Sequence, residues 1–198
     1  DGIRGVERSV GSEMCIRDRC TGVRFADAAG NLYFGRNLDW CESYGEGVVI
    51  TPRGASIPTQ FLGSLSPEHA CVGMGIVVGG VPCYFDCANE AGLAIAGLNF
   101  PGYAQFAEAP EKGAVNVAAY EFPLWVAASF STVAEVRKAL KDVVIVAKAP
   151  SEGYGVAQLH WLVGDGKESI VIECQADGMH VYDDGLDVLT NQPPFPWH

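Results

Sequence analysis

The sequence predicts an α+β domain in which helices pack on antiparallel sheet. Three observations carry that prediction. Short runs suited to strands, separated by turn signals, fill the first half of the chain. A stretch of helical period, residues 116–140, interrupts them, and strand-like runs return afterwards. Gly 24 and Pro 11 supply the many turns that such an order requires.

Taken in order, "TGVRF" and "NLYFGR" read as two strands joined at "ADAAG", a hairpin. "GVVITP" follows as a third strand. "CVGMGIVV" and "VPCYFD" flank a Gly-Gly turn, and "LAIAGLNF" follows the turn "NEAG". "NVAAYEFPLWVAASF" reads as helix, with Pro123 expected to break or kink it. "STVAEVRKAL" is a second helix: Thr132 and Glu135 form a capping box, and Val133, Val136 and Leu140 make an apolar stripe. The chain closes with "AQLHWLVG", "ESIVIEC", "MHVY" and "LDVLT", separated by the turns "DGK", "ADG" and "DDG". These read as an antiparallel meander. The segment "GASIPTQFLGS" reads as a loop.

The 198 residues suffice for one domain with a sizeable core. A composition 48% apolar and 19% charged is that of a globular protein. The net charge of -11, with no basic patch, argues against a nucleic-acid partner. It also gives no long-range attraction for an anionic ligand, so local groups must capture one. No apolar run approaches a membrane span; the longest, "AYEFPLWVAASF", contains Glu121 and Pro123. The seven cysteines are scattered without a disulfide framework, and residues 1–19 lack an apolar signal core. Reduced thiols in a cytoplasmic protein are the expectation. Residues 1–19 are polar and aperiodic, and "GSEMCIRDR" resembles translated sequencing adapter, so we expect a non-native leader there. The domain then spans 20–198, and its ending at "NQPPFPWH" leads us to expect that it is cut short.

Cys20 opens that domain. A thiol attacks well only as thiolate, and its ordinary pKa is about 8.5. The four histidines sit in no Cys–His protease pattern. If Cys20 were the first residue, its own α-amino group, of ordinary pKa about 7.7–8.0, would serve as base. "GRNLDW" places a guanidinium, Arg36, and a carboxylate, Asp39, close behind it.

"CTGVRFADAAGNLYFGRNLDW" resembles the opening of the choloylglycine hydrolase family, the bile salt hydrolases and penicillin V acylases. "YFDCANEAGLAIAGLNFPGY", "EFPLWVAASFSTVAEV", "LHWLVGDGKESIVIE" and "DVLTNQPPFPWH" resemble later family blocks, in the same order, with most similarity to actinobacterial bile salt hydrolases. The resemblance implies an N-terminal nucleophile hydrolase: an αββα four-layer sandwich of antiparallel sheets between helix layers, here C-terminally truncated. It implies Cys20 as nucleophile, Arg36 as a cation near thiol and substrate, and Asp39 as the carboxylate orienting the α-amino group. Asn99 and Asn191 match the two oxyanion-hole asparagines. No metal or cofactor is implied. The small-molecule substrate would be a glycine- or taurine-conjugated bile salt, and the family suggests a homotetramer. A penicillin V or N-acyl homoserine lactone acylase with the same mechanism is the alternative, and an inactive truncated fragment another. Phe25, Phe61, Phe100 and Tyr103 are candidate walls of an apolar substrate pocket.

Two features depart from the family pattern. Arg19, not an initiator methionine, precedes Cys20, and a further catalytic arginine of the family would lie downstream of His198. With Cys20 in peptide linkage the base is lost, so the chain as written is expected to be inactive until residues 1–19 are removed.

Blander roles also suit these residues. Arg36 and Asp39 could form a plain ion pair, and Asn99 and Asn191, each within two residues of a proline, suit turns. Asn89 reads as a turn residue and His160 as structural. Cys83 and Cys87, four apart, would share a strand face, and with Cys41, Cys71 and Cys174 they read as core rather than metal ligands. Met14-Cys15 mimics a start, but the residues after it do not resemble the family.

Overall fold

The computed structural model describes residues 19–40 and 42–198. The leader through residue 18, the Met14-Cys15 pair and Cys41 lie outside the described residues.

The first hairpin forms as its sequence dictates. Strands β1 (Thr21–Ala26) and β2 (Leu32–Asn37) pair in register, Thr21 opposite Asn37 and Ala26 opposite Leu32. Asp27 shapes their turn: its Oδ1 accepts the N–H groups of Ala29 and Asn31, and Gly30 supplies φ +83°. Then come β3 (Gly47–Thr51), a short hairpin β4 (Ile57–Thr59) and β5 (Gly63–Leu65), β6 (Cys71–Val78), β7 (Val81–Asn89) and β8 (Ala94–Asn99). The segment expected to be loop thus holds β4 and β5.

The middle differs from expectation at its start. "VNVA" is strand β9 (Val115–Ala118), followed by a 3₁₀ turn over Ala119–Glu121 and helix α1 (Phe122–Ser129). Pro123 sits in the first turn of α1, where its missing N–H has no intrahelical partner to lose, so it begins the helix rather than breaking it. Helix α2 (Val133–Ala139) carries the expected cap: Thr132 accepts the N–H of Glu135, whose carboxylate reaches back to the Ser131 N–H. Strand β10 (Val143–Val146) pairs in parallel with β9. The last strands are β11 (Leu159–Gly164), β12 (Ser169–Gln175), β13 (Gly178–Asp183) and β14 (Val188–Thr190).

Seven strands form one sheet in the order β13-β12-β11-β8-β7-β6-β3, antiparallel throughout. The expected terminal meander holds for β11 to β13. β14 leaves it and pairs with β1, giving a second sheet, β14-β1-β2. Alternation sorts the side chains between two faces. Trp161, Val163, Ile170 and Ile172 pack with Phe122, Leu124 and Val126 of α1. Ala96, Leu98, Leu162 and Val171 point the other way, against Cys20 and Leu189 of the second sheet. Each such valine, leucine, isoleucine or phenylalanine, fully buried, contributes about 1.5–3 kcal/mol. A Cβ on Gly22 would lie 3.2 Å from Leu162, so the sheets approach closely two residues from Cys20, which only the absence of a side chain permits comfortably.

A bulge interrupts β6 and β7: Gly75 faces Tyr84 while Met74 faces Asp86, leaving Phe85 over. This extra residue reverses the alternation. Cys87 packs toward the helices, its thiol against the Pro123 carbonyl, with Tyr84 in the same core. Cys83 and Cys87 therefore do not share the face that their spacing suggested. The described residues supply a helix layer and two sheet layers; a second helix layer is not among them.

Candidate active site

Cys20 lies at the threshold of β1, 1% exposed, in the seam between the sheets. The hairpin register then brings β2 alongside it. Thr21 N–H donates to Asn37 Oδ1 at 2.8 Å, holding the two strand ends together. Arg36 follows at the next position, with Nη2 3.7 Å from Cys20 Sγ and donating to the Gly97 carbonyl at 2.8 Å. The Asp39 carbonyl is 3.9 Å from the same sulfur.

Arg36 is only 5% exposed, yet its Nε and Nη1 find no hydrogen-bond partner among the described residues. Asp86 Oδ2 lies 3.7 Å from Nη1, close for a charge but too far for a good hydrogen bond. Burial pushes the Asp86 carboxyl up against the pull of Arg36. The guanidinium pairs with Asp86, not with Asp39 as a plain ion pair would have it. Its charge is thus incompletely compensated beside the thiol, and a cation there favours thiolate. Burial pushes the thiols of Cys71 and Cys83 up to about 11 and that of Cys174 up to about 12, and raises Cys87 well above its ordinary value.

Asp39 Oδ2 accepts the backbone N–H of Arg19 at 3.1 Å. That amide nitrogen belongs to the residue before Cys20. Asn99, at the end of β8, and Asn191, just past β14, meet where the sheets meet: the Asn99 N–H donates to Asn191 Oδ1 at 3.1 Å. The bond fixes which end of the Asn191 carboxamide is oxygen. Asn191 is 4% exposed.

Cys20, Arg36 and Asn99 line one cavity of about 640 Å³, within the size range of small-molecule sites. Its apolar wall includes Leu38, Trp40, Tyr44, Tyr84, Phe85 and Tyr154. Trp40 and Tyr44 are tied by an indole N–H to hydroxyl bond of 3.0 Å, and Tyr44 meets Phe85 edge-on. Of the five polar residues singled out in the sequence, Cys20 meets Arg36 and the Asp39 carbonyl, and Asn99 bonds to Asn191. Cys20, Arg36 and Asn99 share the cavity wall, and Asp39 and Asn191 are not on it. The four aromatics are not on the cavity wall. Phe25 stacks on Tyr33 at the outer surface, Phe61 sits in the β4–β5 turn, Phe100 is fully buried, and Tyr103 stacks behind it. Their apolar character was a poor guide, because it suits a core or an exposed strand face as well as a pocket. Asn89, read as a turn residue, is one: it accepts from Ala91 and Leu93 and donates to Ala127 and Phe130 at the end of α1. Asn37 and Asp86 went unnoticed in sequence, since neither stands in a pattern that separates it from ordinary strand polarity.

Residues 20–198 match the family described as linear amide C–N hydrolases, choloylglycine hydrolase family. The chain is 57% identical over 180 residues to a bile salt hydrolase/transferase of Bifidobacterium longum subsp. longum, covering 90% of this chain and 56% of that protein. It is 53% identical to a conjugated bile acid hydrolase of Lactobacillus gasseri, covering 90% and 57%. Among solved structures, a variant of the conjugated bile acid hydrolase from Clostridium perfringens superposes with TM-score 0.86 at 37% identity, over 90% of this chain and 55% of that one. A penicillin V acylase from Agrobacterium tumefaciens shares the fold, with TM-score 0.72 at 21% identity. The chain therefore spans just over half the length of these relatives.

Proposed function

The chain belongs to the choloylglycine hydrolase family of linear amide C–N hydrolases, and from that premise we propose that it serves to hydrolyse the amide of glycine- or taurine-conjugated bile salts. The observation that carries the proposal is the placement of the Cys20 thiol against Arg36 on the wall of a cavity rich in aromatic side chains.

Cys20 Sγ attacks the amide carbonyl and forms a tetrahedral intermediate. Negative charge grows on the carbonyl oxygen, and Asn99 and Asn191 supply the donors that stabilise it. The C–N bond breaks as the amine leaves with a proton, giving a thioester on Cys20; water then attacks and releases the bile acid. The proton carrier is the α-amino group of Cys20, oriented by Asp39. In the chain as written that nitrogen is an amide, and the Asp39 carboxylate holds the Arg19 N–H instead. Removal of residues 1–19 is therefore part of the proposal: it frees the amine and the carboxylate that serves it.

The same proposal makes the protein a cytoplasmic homotetramer that needs no metal or cofactor. No helix among the described residues is long and apolar enough to cross a membrane. The bile salt hydrolase relatives favour that substrate over a penicillin. A side-by-side assay of the protein opened at Cys20 tests the choice. Release of glycine or taurine from conjugated bile salts is the expected result; phenoxyacetate release from penicillin V without it would overturn the assignment.

A further inference from the structure

Behind the two asparagines lies a pair of buried ionisable groups that the steps above do not use. His160 of β11 and Glu173 of β12 are both fully buried, on the face of the large sheet that meets β14. His160 Nδ1 lies 2.8 Å from Glu173 Oε1, and Nε2 lies 2.9 Å from the Thr190 carbonyl oxygen. A carbonyl can only accept, so Nε2 carries hydrogen. Glu173 Oε1 also accepts the Phe195 N–H at 3.0 Å, and Oε2 accepts from Gln175 at 3.0 Å. One proton is thus shared between Nδ1 and Oε1, and the pair is neutral as a whole whichever atom holds it. Burying such a pair stabilises a fold no better than apolar residues of the same volume would, so its use here calls for a geometric reason.

The contacts supply that reason. Thr190 immediately precedes Asn191, and Phe195 closes the same segment. On its other side the imidazole lies flat against Phe100, centroids 4.3 Å apart and planes within 5°. Phe100 immediately follows Asn99. One ring therefore touches the neighbour of each asparagine, while the asparagines bond to one another. We propose that His160, backed by Glu173, is a positioning group that sets the spacing of Asn99 and Asn191 across the seam between the sheets. Its catalytic meaning rests on reading those asparagines as the oxyanion donors. Hydrogen-bonded partners behind a reacting group commonly matter in this way, through the group they orient.

The test reads the side-chain amide NMR signals of Asn191 in the full 198-residue chain. Asn116, whose side chain bonds to Glu111 and Ala114, is the control. His160→Leu should displace the Asn191 signals and leave those of Asn116 in place. His160→Gln keeps an N–H for the Thr190 carbonyl and should restore them most of the way. Glu173→Gln should displace them in the same sense as His160→Leu, and it decides the matter if the leucine variant does not fold. Asn191 signals unmoved in the folded variants, or Asn116 moving as far as Asn191, would overturn the proposal. The readout needs no turnover, so a chain without bile salt hydrolysis would refute the proposed function and leave this test standing.

Discussion

The two faces of the seven-stranded sheet are built on different principles. The face under α1 is a continuous apolar layer, with Phe122, Leu124, Trp161 and Ile172 fully buried. The opposite face buries Leu98 and Leu162 beside Arg36, His160, Glu173 and Asn191. Its far end, at β3 and β6, is uncovered among the described residues, with Val48 and Ile50 each 71% exposed. Stability is concentrated on the first face. The residues proposed for the chemistry lie on the second, where a seam between sheets lets polar groups be buried and held by backbone partners.

This contrast can be broken by substitution, most strongly on the helix face. Phe122→Ala opens a cavity against Trp161 and should cost about 3–5 kcal/mol of stability. In the protein opened at Cys20, at a temperature where it remains folded, kcat should hardly change; denaturant melts beside turnover measure both. Asn191→Ala should do the reverse. Loss of one oxyanion donor raises the barrier by about 2.7–4 kcal/mol, read as a fall in kcat with KM nearly constant. A large fall in KM-limited binding with kcat preserved would place Asn191 outside the chemistry.

A smaller effect sharpens the comparison at the edge between the faces. Asp165 accepts the N–H groups of Val133, Lys167 and Glu168. Burial alone would push its carboxyl up, but these bonds and Arg24 hold it below its ordinary value. A carboxyl depressed in the folded state stabilises the fold above its unfolded pKa of about 3.9 and loses that contribution as pH falls through the folded value. Asp165→Asn should therefore cost about 1 kcal/mol near neutral pH, as for a lost helix cap. The gap between variant and parent should narrow below about pH 4; melting curves across pH measure it.

The sequence made most of the strands, though not β4, β5 or β9, and the cap of α2 legible because these depend on neighbours. The hairpin of β1 and β2 needs only Asp27, Gly30 and alternation, and the cap of α2 joins Thr132 to Glu135, three residues on. What stayed hidden depends on distant partners. β14 was read with the meander, since nothing in "LDVLT" says that its partner is β1. The bulge at Phe85 has no local signal, so Cys83 and Cys87 were given one face and occupy two. The family resemblance named Cys20, Arg36, Asp39, Asn99 and Asn191, of which Cys20, Arg36 and Asn99 share one cavity wall; composition alone would not have singled them out. For the cavity wall it offered only aromatic residues as such. The role proposed for His160 follows from contacts made across two sheets, which alternation in "LHWLVG" cannot express.

The proposed reaction requires that Cys20 act with its own free amine. The direct measurement compares glycine release from a glycine-conjugated bile salt by the chain as written and by the same protein beginning at Cys20. The expected result is turnover only from the latter, abolished by Cys20→Ala. Equal rates from both would contradict the account, because the amide nitrogen of a linked Cys20 has no proton-accepting role to play.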